Sequence, residues 1–584
     1  MSNNNFEQQQ QQKSPSLVSK KKLDNESFVA ALNSEEILYE DIEIIYKKKS
    51  WKIIVKKSCV IVQQNDDKKF TQYLISDTIV GVALEKDSQQ KVAMSCCIIK
   101  TPEPETRKRK SFQFQFINAE QAQSFINAVQ THILNNLPGK NPKNRRIRVI
   151  LNPKSGKKLS EQIFKDVSAL FDDAGIFVKK TTTRGPEHAK KIGFTFDYKK
   201  YDTIVFISGD GLFHEFINGL MARDDWKDAV KINLALIPGG TGNGLACSIG
   251  LSDPMSAALA VVRGYSRPLD VSIISQGESK WCSILSLTWG IISDVDIESE
   301  KYRYLGPLRL QIGAAIRILM LRVYKGRLLY QPVVESTKQT LSKIPKCSYE
   351  CEICISNRPD QLIHSYVNSI EFGKDKQNGD DNQDIHVNIN INIDSSPIID
   401  NTESIGSSSN NTSTNTITNE SPSSSSSSQT KPKEKKKGFD KIDIPNLKVP
   451  TRDLLSENEQ NLLENGWKLY DGEFIGLVAS TVSHLAPDFI SSPTAHLNDG
   501  NIDLVIIKHN EQFKKTDLLS ILTDSAEGKH LENHAIDHHK VKSLILEPGP
   551  EKEGIIAIDG ERISYGRTSM ECIRGGINLI CRSY

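Results

Sequence analysis

Residues 208–220 read SGDGLFHEFINGL and decide the fold of the segment around them. They follow a largely apolar run at 202–207, which predicts a buried strand. The glycines on either side of Asp210 allow a tight turn, and the apolar residues beyond it recur at helical spacing. A buried strand, a glycine-rich turn and a helix in direct succession are typical of a parallel α/β sheet.

The same succession recurs on both sides of this stretch. Regular alternation of nearly continuous apolar strands with helices predicts a parallel sheet that is covered on both faces. Residues 146–267 are therefore expected to form an open α/β domain. The sequence predicts its strands at 146–151, 176–182, 202–207 and 232–237, and its helices at 161–174, 187–193 and 212–221.

Three polar or glycine-rich turns stand where predicted strands end, at 152–157 (NPKSGK), 208–211 (SGDG) and 239–244 (GGTGNG). Ligands of open α/β sheets lie beyond the carboxyl ends of the strands, so the three turns are expected to border one crevice. Glycine lets backbone N–H groups approach phosphate oxygens, and helix N-termini favour anions. The crevice is therefore suited to a nucleoside triphosphate. The fingerprints of the common nucleotide folds do not fit, so a different nucleotide fold is required.

These segments carry a resemblance. The string at 208–220, with NPKSGKK at 152–158 before it and PGGTGN at 238–243 after it, resembles the catalytic domain shared by diacylglycerol, ceramide and sphingosine kinases. The stretch LTWGIISDVDIESEKYRYLG at 287–306 and the triplet Asp559-Gly560-Glu561 are similar to sphingosine kinases in particular. The resemblance covers the chain from about residue 146 to its end, apart from an insertion.

The resemblance implies a role for most polar residues of these segments. Asp210 matches an aspartate beside the transferring phosphate and the substrate hydroxyl, where a carboxylate can orient or deprotonate that hydroxyl. Arg303 and Arg309 match triphosphate clamps, and Glu300 matches a residue that orients arginine. Asp296 matches an aspartate that contacts the amino alcohol head of the substrate. The implied nucleotide-binding set is Asn152, Pro153, Lys154, Thr183, Ser208, Gly209, Gly211, Gly239, Gly240, Thr241, Gly242, Asn243, Glu300, Arg303, Arg309, Asp559, Gly560 and Glu561.

The implied reaction is an ATP-dependent transfer of phosphate to the primary hydroxyl of a sphingoid base. ATP and Mg²⁺ are the implied cofactors, and the sequence offers no side-chain motif for the metal, which would arrive with ATP. Asp559 and Glu561, from the C-terminal half, would add groups that contact the nucleotide or the metal and its ligands. The alternative for such charged residues is a surface salt bridge. Thr241 and Gly240 stand where the family often has serine and alanine, and the hydroxyl and backbone donors are kept.

Two other functions are compatible with parts of this pattern. A ceramide or diacylglycerol kinase would share the nucleotide crevice but would need no carboxylate for an ammonium group, so Asp296 argues against it. A non-catalytic lipid-binding protein on a kinase fold would not need Asp210 together with all three turns.

Two β-rich regions flank the α/β domain. Residues 36–137, with predicted strands at 51–62, 72–83, 92–100 and 111–117 and a helix at 119–133, resemble a pleckstrin-homology-like module. Its basic run at 107–110 is expected to be a loop that contacts anionic lipid head groups or is simply solvated. Residues 268–584 predict an antiparallel β-sandwich domain, interrupted by a disordered insertion at 374–437. Residues 1–35 form a low-complexity tail.

Composition and charge bear on partners and location. The formal net charge of +2 gives no reason to expect a nucleic-acid partner. The polar start and the lack of a long apolar run predict a cytoplasmic protein. The stretch 308–327 mixes arginine and lysine with isoleucine and leucine, as do helices that bind membrane surfaces or calmodulin. Peripheral membrane association is therefore expected, with calmodulin as a further partner.

The ten cysteines are scattered and predict reduced thiols. Cys347, Cys351 and Cys354 have the spacing of half a zinc site, but no matching cysteine or histidine pair follows at ligand spacing. A strand bearing thiols is therefore the expectation for this segment.

Overall fold

The computed structural model describes residues 34–65, 71–75, 78–102, 105–136, 145–156, 158–305, 308–333, 344, 347, 351, 354, 442–550 and 554–582. The predicted insertion at 374–437 lies outside these residues, as does the predicted tail at 1–35 except for its last two residues.

In its described residues, the N-terminal module has seven strands followed by one α-helix. Its sheet has the order β4-β3-β2-β1-β7-β6-β5, with antiparallel neighbours throughout. Helix α1 begins after Asn118, whose side-chain oxygen accepts a hydrogen bond from Gln121 N–H. The helix packs Phe125 against Phe114 of β7 and against Phe116, which follows that strand. The elements are β1 Tyr39–Tyr46, β2 Lys49–Val55, β3 Cys59–Gln64, β4 Thr71–Ile75, β5 Ile79–Leu84, β6 Lys91–Pro102, β7 Glu105–Gln115 and α1 Ala119–His132.

Two of the runs that were each predicted as one strand in this module contain parts of two strands in the structure. The run 51–62 contains the turn between β2 and β3, and the run 72–83 contains the break between β4 and β5. The residues at these breaks, Lys-Lys-Ser and Ser-Asp-Thr, include neither glycine nor proline, which are the strongest signals of a turn.

The expectation of a loop at 107–110 was wrong, because strand β7 runs through these residues. Arg107 is buried, and its Nε donates to Glu105 at 2.9 Å. Arg109 donates two hydrogen bonds, of 2.5 and 2.8 Å, to the carboxylate of Asp173 in the α/β domain. Both arginines are thus engaged within the chain, and Arg107 is also withdrawn from solvent, whereas Arg109 stays exposed.

The module packs directly on the α/β domain. The backbone N–H of Arg107 donates to Asp253 at 3.1 Å, and Arg263 donates to the backbone oxygen of Ile79 at 2.9 Å. A Cβ atom added to Gly81 would lie 2.0 Å from the backbone oxygen of Asp173, so only glycine allows this approach.

The α/β domain has the alternation that its sequence predicts, and each predicted strand agrees with the structure to within one residue at either end. Its strands pair in parallel in the order β11-β10-β8-β9, and every residue of β10 is buried. The elements are β8 Arg146–Leu151, α2 Ser160–Asp173, β9 Phe177–Thr182, α3 His188–Thr195, β10 Thr203–Ser208, α4 Asp210–Met221, α5 Trp226–Ala229, β11 Asn233–Pro238, α6 Gly244–Ser248 and α7 Pro254–Arg263.

The C-terminal half is built from antiparallel strands, as predicted, with helices at its margin. Its strands are β12 Ser266–Gln276, β13 Ser279–Ser283, β14 Ser286–Gly290, β15 Tyr324–Pro332, β16 Lys468–Ser480, β17 His484–Ala486, β18 Phe489–Ile490, β19 Ile502–Lys508, β20 Ile536–Pro548, β21 Ile556–Ile558, β22 Glu561–Ile563 and β23 Thr568–Ile580. Its α-helices are α8 Ile291–Ser299, α9 Leu308–Leu319, α10 Glu459–Glu464 and α11 Lys515–Asp524, and a 3₁₀ helix spans Glu300–Leu305.

Strand β23 joins the two halves. It pairs in parallel with β11, through Asn578 and Asn233, and antiparallel with β12 and β20. Because hydrogen bonds continue across this strand, the turns that follow the parallel strands keep a fixed position relative to the β-sandwich. This arrangement allows residues from both halves to form one site.

Candidate active site

The three glycine-rich turns of the α/β domain touch one another at the carboxyl ends of β8, β10 and β11. A Cβ atom added to Gly240 would lie 2.4 Å from the Cα of Gly209, and one added to Gly156 would lie 2.7 Å from the backbone oxygen of Gly239. The hydroxyl of Ser155 also accepts a hydrogen bond from Gly209 N–H at 3.2 Å. The turns therefore form one continuous backbone surface that side chains would fill.

Several predicted nucleotide contacts shape these turns with their own side chains. Asn243 has φ of +54° and bonds twice to Gly240, accepting from its N–H at 2.9 Å and donating to its oxygen at 3.0 Å. The hydroxyl of Ser208 donates to Gly209, and the Asn152 side chain accepts from Lys154 N–H. These side chains fix the conformation of the turns through hydrogen bonds to the turn backbone.

Five other members of the predicted set lie in or beside these turns. Thr183 is buried beyond β9, and its hydroxyl donates to the backbone oxygen of Leu151 at 3.3 Å. Pro153 and Lys154 belong to the first turn, with Lys154 exposed. Thr241 is exposed in the third turn, beside the half-buried Gly242.

Asp210 is the first residue of α4 and is nearly buried. Its two carboxylate oxygens accept hydrogen bonds from Gly244 N–H at 2.7 Å and Leu245 N–H at 3.2 Å, at the start of α6. Burial raises the pKa of this carboxyl to about 6, against the lowering effect of the two N–H donors. The carboxylate is thus held rigidly among the turns and is ionised at neutral pH.

Asp559 is buried and its carboxylate is fully engaged by protein donors. It accepts from the hydroxyl of Ser283 at 2.7 Å, from the backbone N–H groups of Ile284, Leu285 and Ser286, each at 2.9 Å, and it meets Nδ1 of His214 at 2.7 Å. Burial alone would raise the pKa of Asp559, but His214 and the other donors outweigh burial and lower it. Asp559 therefore positions its turn, and its carboxylate is directed at the protein.

His214 was missed by the sequence reasoning, although it lies within the motif at 208–220. It stands four residues after Asp210 on α4, which places both side chains on one face of the helix. Burial alone would lower the pKa of His214, but its bond to Asp559 raises it. The helical spacing from Asp210 was the signal that could have identified this residue.

The turn that follows Asp559 lies between the two halves of the site. A Cβ atom added to Gly560 would lie 3.2 Å from Oδ2 of Asp296, and one added to Gly211 would lie 3.7 Å from Oε1 of Glu561. The turn therefore approaches both Asp296 and the neighbour of Asp210.

Asp296 and Glu300 share one arginine. Arg309 is buried and donates to Oδ1 of Asp296 at 3.3 Å, and it pairs with Glu300 at 2.7 Å. Burial raises the pKa of Asp296, which Arg309 opposes and Glu300 and Glu561 reinforce. Glu300 therefore orients Arg309. The side chain of Arg303 lies outside the described residues.

Comparison with known proteins agrees with this architecture. Residues 146–274 match the diacylglycerol kinase catalytic domain, and residues 471–581 match the YegS C-terminal NAD kinase beta sandwich-like domain. Fold and match together define the class of this chain, which is a lipid kinase.

Three relatives narrow the class to a family. Sphingosine kinase B of Dictyostelium discoideum is 47% identical over 568 residues, covering 85% of this chain and 75% of that protein. Sphingosine kinase 1 of Arabidopsis thaliana is 31% identical over 440 residues (73% and 70%), and human sphingosine kinase 2 is 26% identical over 467 residues (73% and 69%). The chain belongs to the sphingosine kinase family, which confirms the resemblance seen in its sequence.

Proposed function

We propose that this chain transfers the γ-phosphate of ATP to the primary hydroxyl of a sphingoid base. One observation carries the proposal. The segment Asp559-Gly560-Glu561 lies close to both carboxylates. Its Glu561 carboxylate lies beside Gly211, the neighbour of Asp210, and its Gly560 lies beside the carboxylate of Asp296. A substrate with a hydroxyl and an ammonium group near one end can therefore meet a phosphate-side carboxylate and a cation-binding carboxylate at once.

The glycine turns fit a triphosphate. They present a backbone surface that a Cβ atom at Gly240 or Gly156 would fill, because such an atom would lie only 2.4 or 2.7 Å from the neighbouring turn. Backbone N–H groups on such a surface can donate to phosphate oxygens. Mg²⁺ bound with ATP would neutralise developing charge on the phosphates, and Asp210 and Glu561 offer the oxygen ligands that this ion prefers.

Asp210 is suited to receive the hydroxyl proton. Each of its two carboxylate oxygens accepts one hydrogen bond from a backbone N–H group. Each oxygen therefore keeps a lone pair that can accept a hydrogen bond from a substrate hydroxyl. The raised pKa, about 6, leaves Asp210 ionised at neutral pH and more basic than an exposed aspartate.

The charge around Asp296 favours a cationic substrate. The carboxylates of Glu300 and Glu561 both act electrostatically on Asp296, and Arg309 contacts Asp296 and Glu300. The resulting excess of negative charge suits the ammonium group of a sphingoid base. Ceramide and diacylglycerol lack this positive charge and would gain nothing from it.

Label transfer tests this proposal. Purified chain is incubated with γ-labelled ATP and Mg²⁺ together with sphingosine, ceramide and diacylglycerol at equal concentration in mixed micelles. We expect label in the sphingosine product, and at least about 100-fold less with the Asp210→Asn variant. Preferential labelling of ceramide or diacylglycerol would contradict the substrate, and absence of any lipid labelling would contradict the activity.

We also propose a cytoplasmic, peripherally membrane-associated location. The surface formed by α9 and α11 exposes Leu319, Met320 and Leu519, with 73%, 66% and 51% of each residue accessible, and Lys515 of α11 donates to the backbone oxygen of Leu319. Exposed apolar side chains on adjacent helices are suited to a lipid surface. None of the described helices is long and apolar enough to cross a membrane.

The same surface is a weaker candidate for calmodulin. Arg309 and Arg317 are buried, and Arg309, Arg317 and Arg322 pair with acidic residues of α8. A partner that binds these basic side chains would first have to break those pairs.

Vesicle sedimentation tests the membrane proposal. The double variant Leu319→Ser, Met320→Ser should bind anionic vesicles more weakly than the wild type. Leu463→Ser, which changes an exposed leucine of α10, should bind them as the wild type does.

A further inference from the structure

Four potential metal ligands meet outside the active site. Cys347, Cys351 and Cys354 come from the connection that follows β15, and His496 comes from the loop between β18 and β19. Their sulfur and nitrogen ligand atoms all lie within 4.8 Å of one another, and all except Cys347 are buried. The cluster uses none of the residues assigned to the kinase site.

The separations agree with a tetrahedral zinc site. With Zn–S near 2.3 Å and Zn–N near 2.0–2.1 Å, tetrahedral geometry places two sulfurs about 3.8 Å apart and a sulfur and a nitrogen about 3.6 Å apart. The sulfurs of Cys347 and Cys354 are 3.6 Å apart, and Nδ1 of His496 lies 3.2 Å from the sulfur of Cys351 and 3.9 Å from that of Cys354. One ion would fit between these atoms with small adjustments.

The loop that carries His496 is held in place independently of any metal. The backbone oxygen of Leu497 accepts from Asp270 N–H at 2.7 Å, and the carboxylate of Asp270 accepts from Gly500 N–H at 2.6 Å. Asn498 then donates to the backbone oxygen of Cys354 at 3.3 Å, which ties the loop to the cysteine segment. The histidine is thus preorganised toward the thiols.

The surroundings suit a site with net negative charge. Zn²⁺ with three thiolates and one neutral imidazole carries one negative charge, which is costly to bury alone. The guanidinium group of Arg267 is buried nearby and acts electrostatically on Cys347 and Cys354. A cation in this position would offset the charge of the bound ion and its ligands.

The expectation of a strand bearing thiols was wrong for this segment. Cys347 and Cys351 lie outside any strand, and Cys354 is helical. The spacing of the three cysteines indicated part of a metal site. It could not indicate the fourth ligand, because His496 stands 145 residues beyond Cys351 in the sequence. A single histidine at such a distance has no local signature.

We propose that Cys347, Cys351, Cys354 and His496 bind one structural Zn²⁺ ion through three thiolates and the Nδ1 atom of the histidine. The ion fastens the connection after β15 to the β-sandwich, shortly before the chain enters the predicted insertion. All four ligand positions are filled by protein, so the site is closed to substrate and serves stability rather than chemistry. The thiol protons are released on binding.

Metal analysis of the full chain tests the proposal. When the chain is purified under reducing conditions without chelator, elemental mass spectrometry should find about one Zn²⁺ per chain. Cys351→Ser and His496→Ala should each weaken Zn²⁺ binding by more than about 100-fold, because loss of even an outer-shell partner costs about 10–100-fold. Cys572→Ser removes a buried thiol of β23 that lies outside the cluster and should leave the Zn²⁺ content unchanged.

Cobalt substitution and one further variant separate ligation from packing. Co²⁺ should give thiolate charge-transfer absorption and the strong visible bands of a tetrahedral ion. His496→Cys should keep the metal and increase the charge-transfer intensity, since four cysteines also form a zinc site. The proposal is overturned if reduced wild-type chain shows neither Zn²⁺ nor a thiolate–cobalt band, if Cys351→Ser or His496→Ala retains wild-type affinity, or if Cys347 and Cys354 form a disulfide.

Discussion

Nδ1 of His214 lies 2.7 Å from Oδ2 of Asp559, although 345 residues separate them in sequence. Both side chains are buried, and the contact joins α4, which begins with Asp210, to the turn that contains Gly560 and Glu561. The position of the turn relative to Asp210 therefore depends on this pair. Because the contact raises the pKa of His214 and helps to lower that of Asp559, its contribution to stability depends on pH.

His214→Gln should destabilise the chain in a pH-dependent manner. The folded pKa of His214 is raised, so the stability gained from its charge is complete below its unfolded pKa of about 6.5 and is lost as the pH rises through the higher folded value. The Tm difference between wild type and variant should therefore be largest near pH 6 and shrink in alkali. His534→Gln, on a half-exposed histidine, should give a smaller difference at every pH. A difference that grows with rising pH would contradict the pairing.

Asp210→Asn should lower kcat by about 10²–10⁴-fold with the fold retained, because the hydroxyl loses its proton acceptor. In the wild type, kcat should rise with pH through about 6 as Asp210 ionises. Asp253→Asn is the matched control, since Asp253 also accepts N–H bonds at a helix start, but its donors are Ser256 and Arg107 rather than residues beside the turns. Steady-state kinetics across pH test both statements, and near-normal turnover of Asp210→Asn would refute the assignment.

Asp296→Asn should act on the lipid rather than on the nucleotide. A charged hydrogen bond left unmade in a partly dry site costs about 1.5–3 kcal/mol, which corresponds to about ten- to a hundredfold in kcat/KM for sphingosine. KM for ATP should barely change. A short-chain ceramide, which carries no ammonium group, serves as the control substrate, and its residual rate should not fall. Damage confined to the KM for ATP would show that Asp296 belongs to the nucleotide half of the site.

The α/β domain could be predicted from local signals because its apolar strands end at glycine-rich turns. In the N-terminal module, the turn at Lys56-Lys57-Ser58 carried no such signal, and one predicted run proved to be two strands. Candidate site residues could be proposed where a motif is local, as for Asp210, whose catalytic role stays a prediction. The contacts of His214 with Asp559 and of His496 with the cysteines connect distant segments, and only the fold brings their side chains together.

Gly560→Ala should impair lipid use through local crowding. Gly560 has φ of +84°, which costs other residues about 1–2 kcal/mol, and its added Cβ would lie 3.2 Å from the carboxylate of Asp296. Gly466→Ala places the same strain at φ of +82° with nothing within 4 Å of the new atom. Both variants should lose similar Tm, but only Gly560→Ala should raise KM for sphingosine. Equal kinetics of the two variants would argue that the turn does not border the substrate.

Arg107→Ser should lower the stability of the N-terminal module without changing the affinity of the chain for anionic vesicles. The buried guanidinium donates to Glu105 at 2.9 Å and to the backbone oxygen of Cys97 at 3.2 Å, so its removal deletes one partly buried and one buried hydrogen bond and should cost about 1–3 kcal/mol of unfolding free energy. Lys108→Ser, at the exposed neighbouring position of the same strand, should change stability by less than about 0.5 kcal/mol.

Chemical denaturation of the two variants, together with sedimentation on anionic vesicles, distinguishes the structural role of this run from the lipid contact that its sequence suggested. We expect Arg107→Ser to unfold at lower denaturant concentration and to sediment like the wild type when both are folded. Normal stability with reduced sedimentation would reverse this conclusion, since it would mean that the basic run is available to phospholipid head groups despite its bonds within the chain.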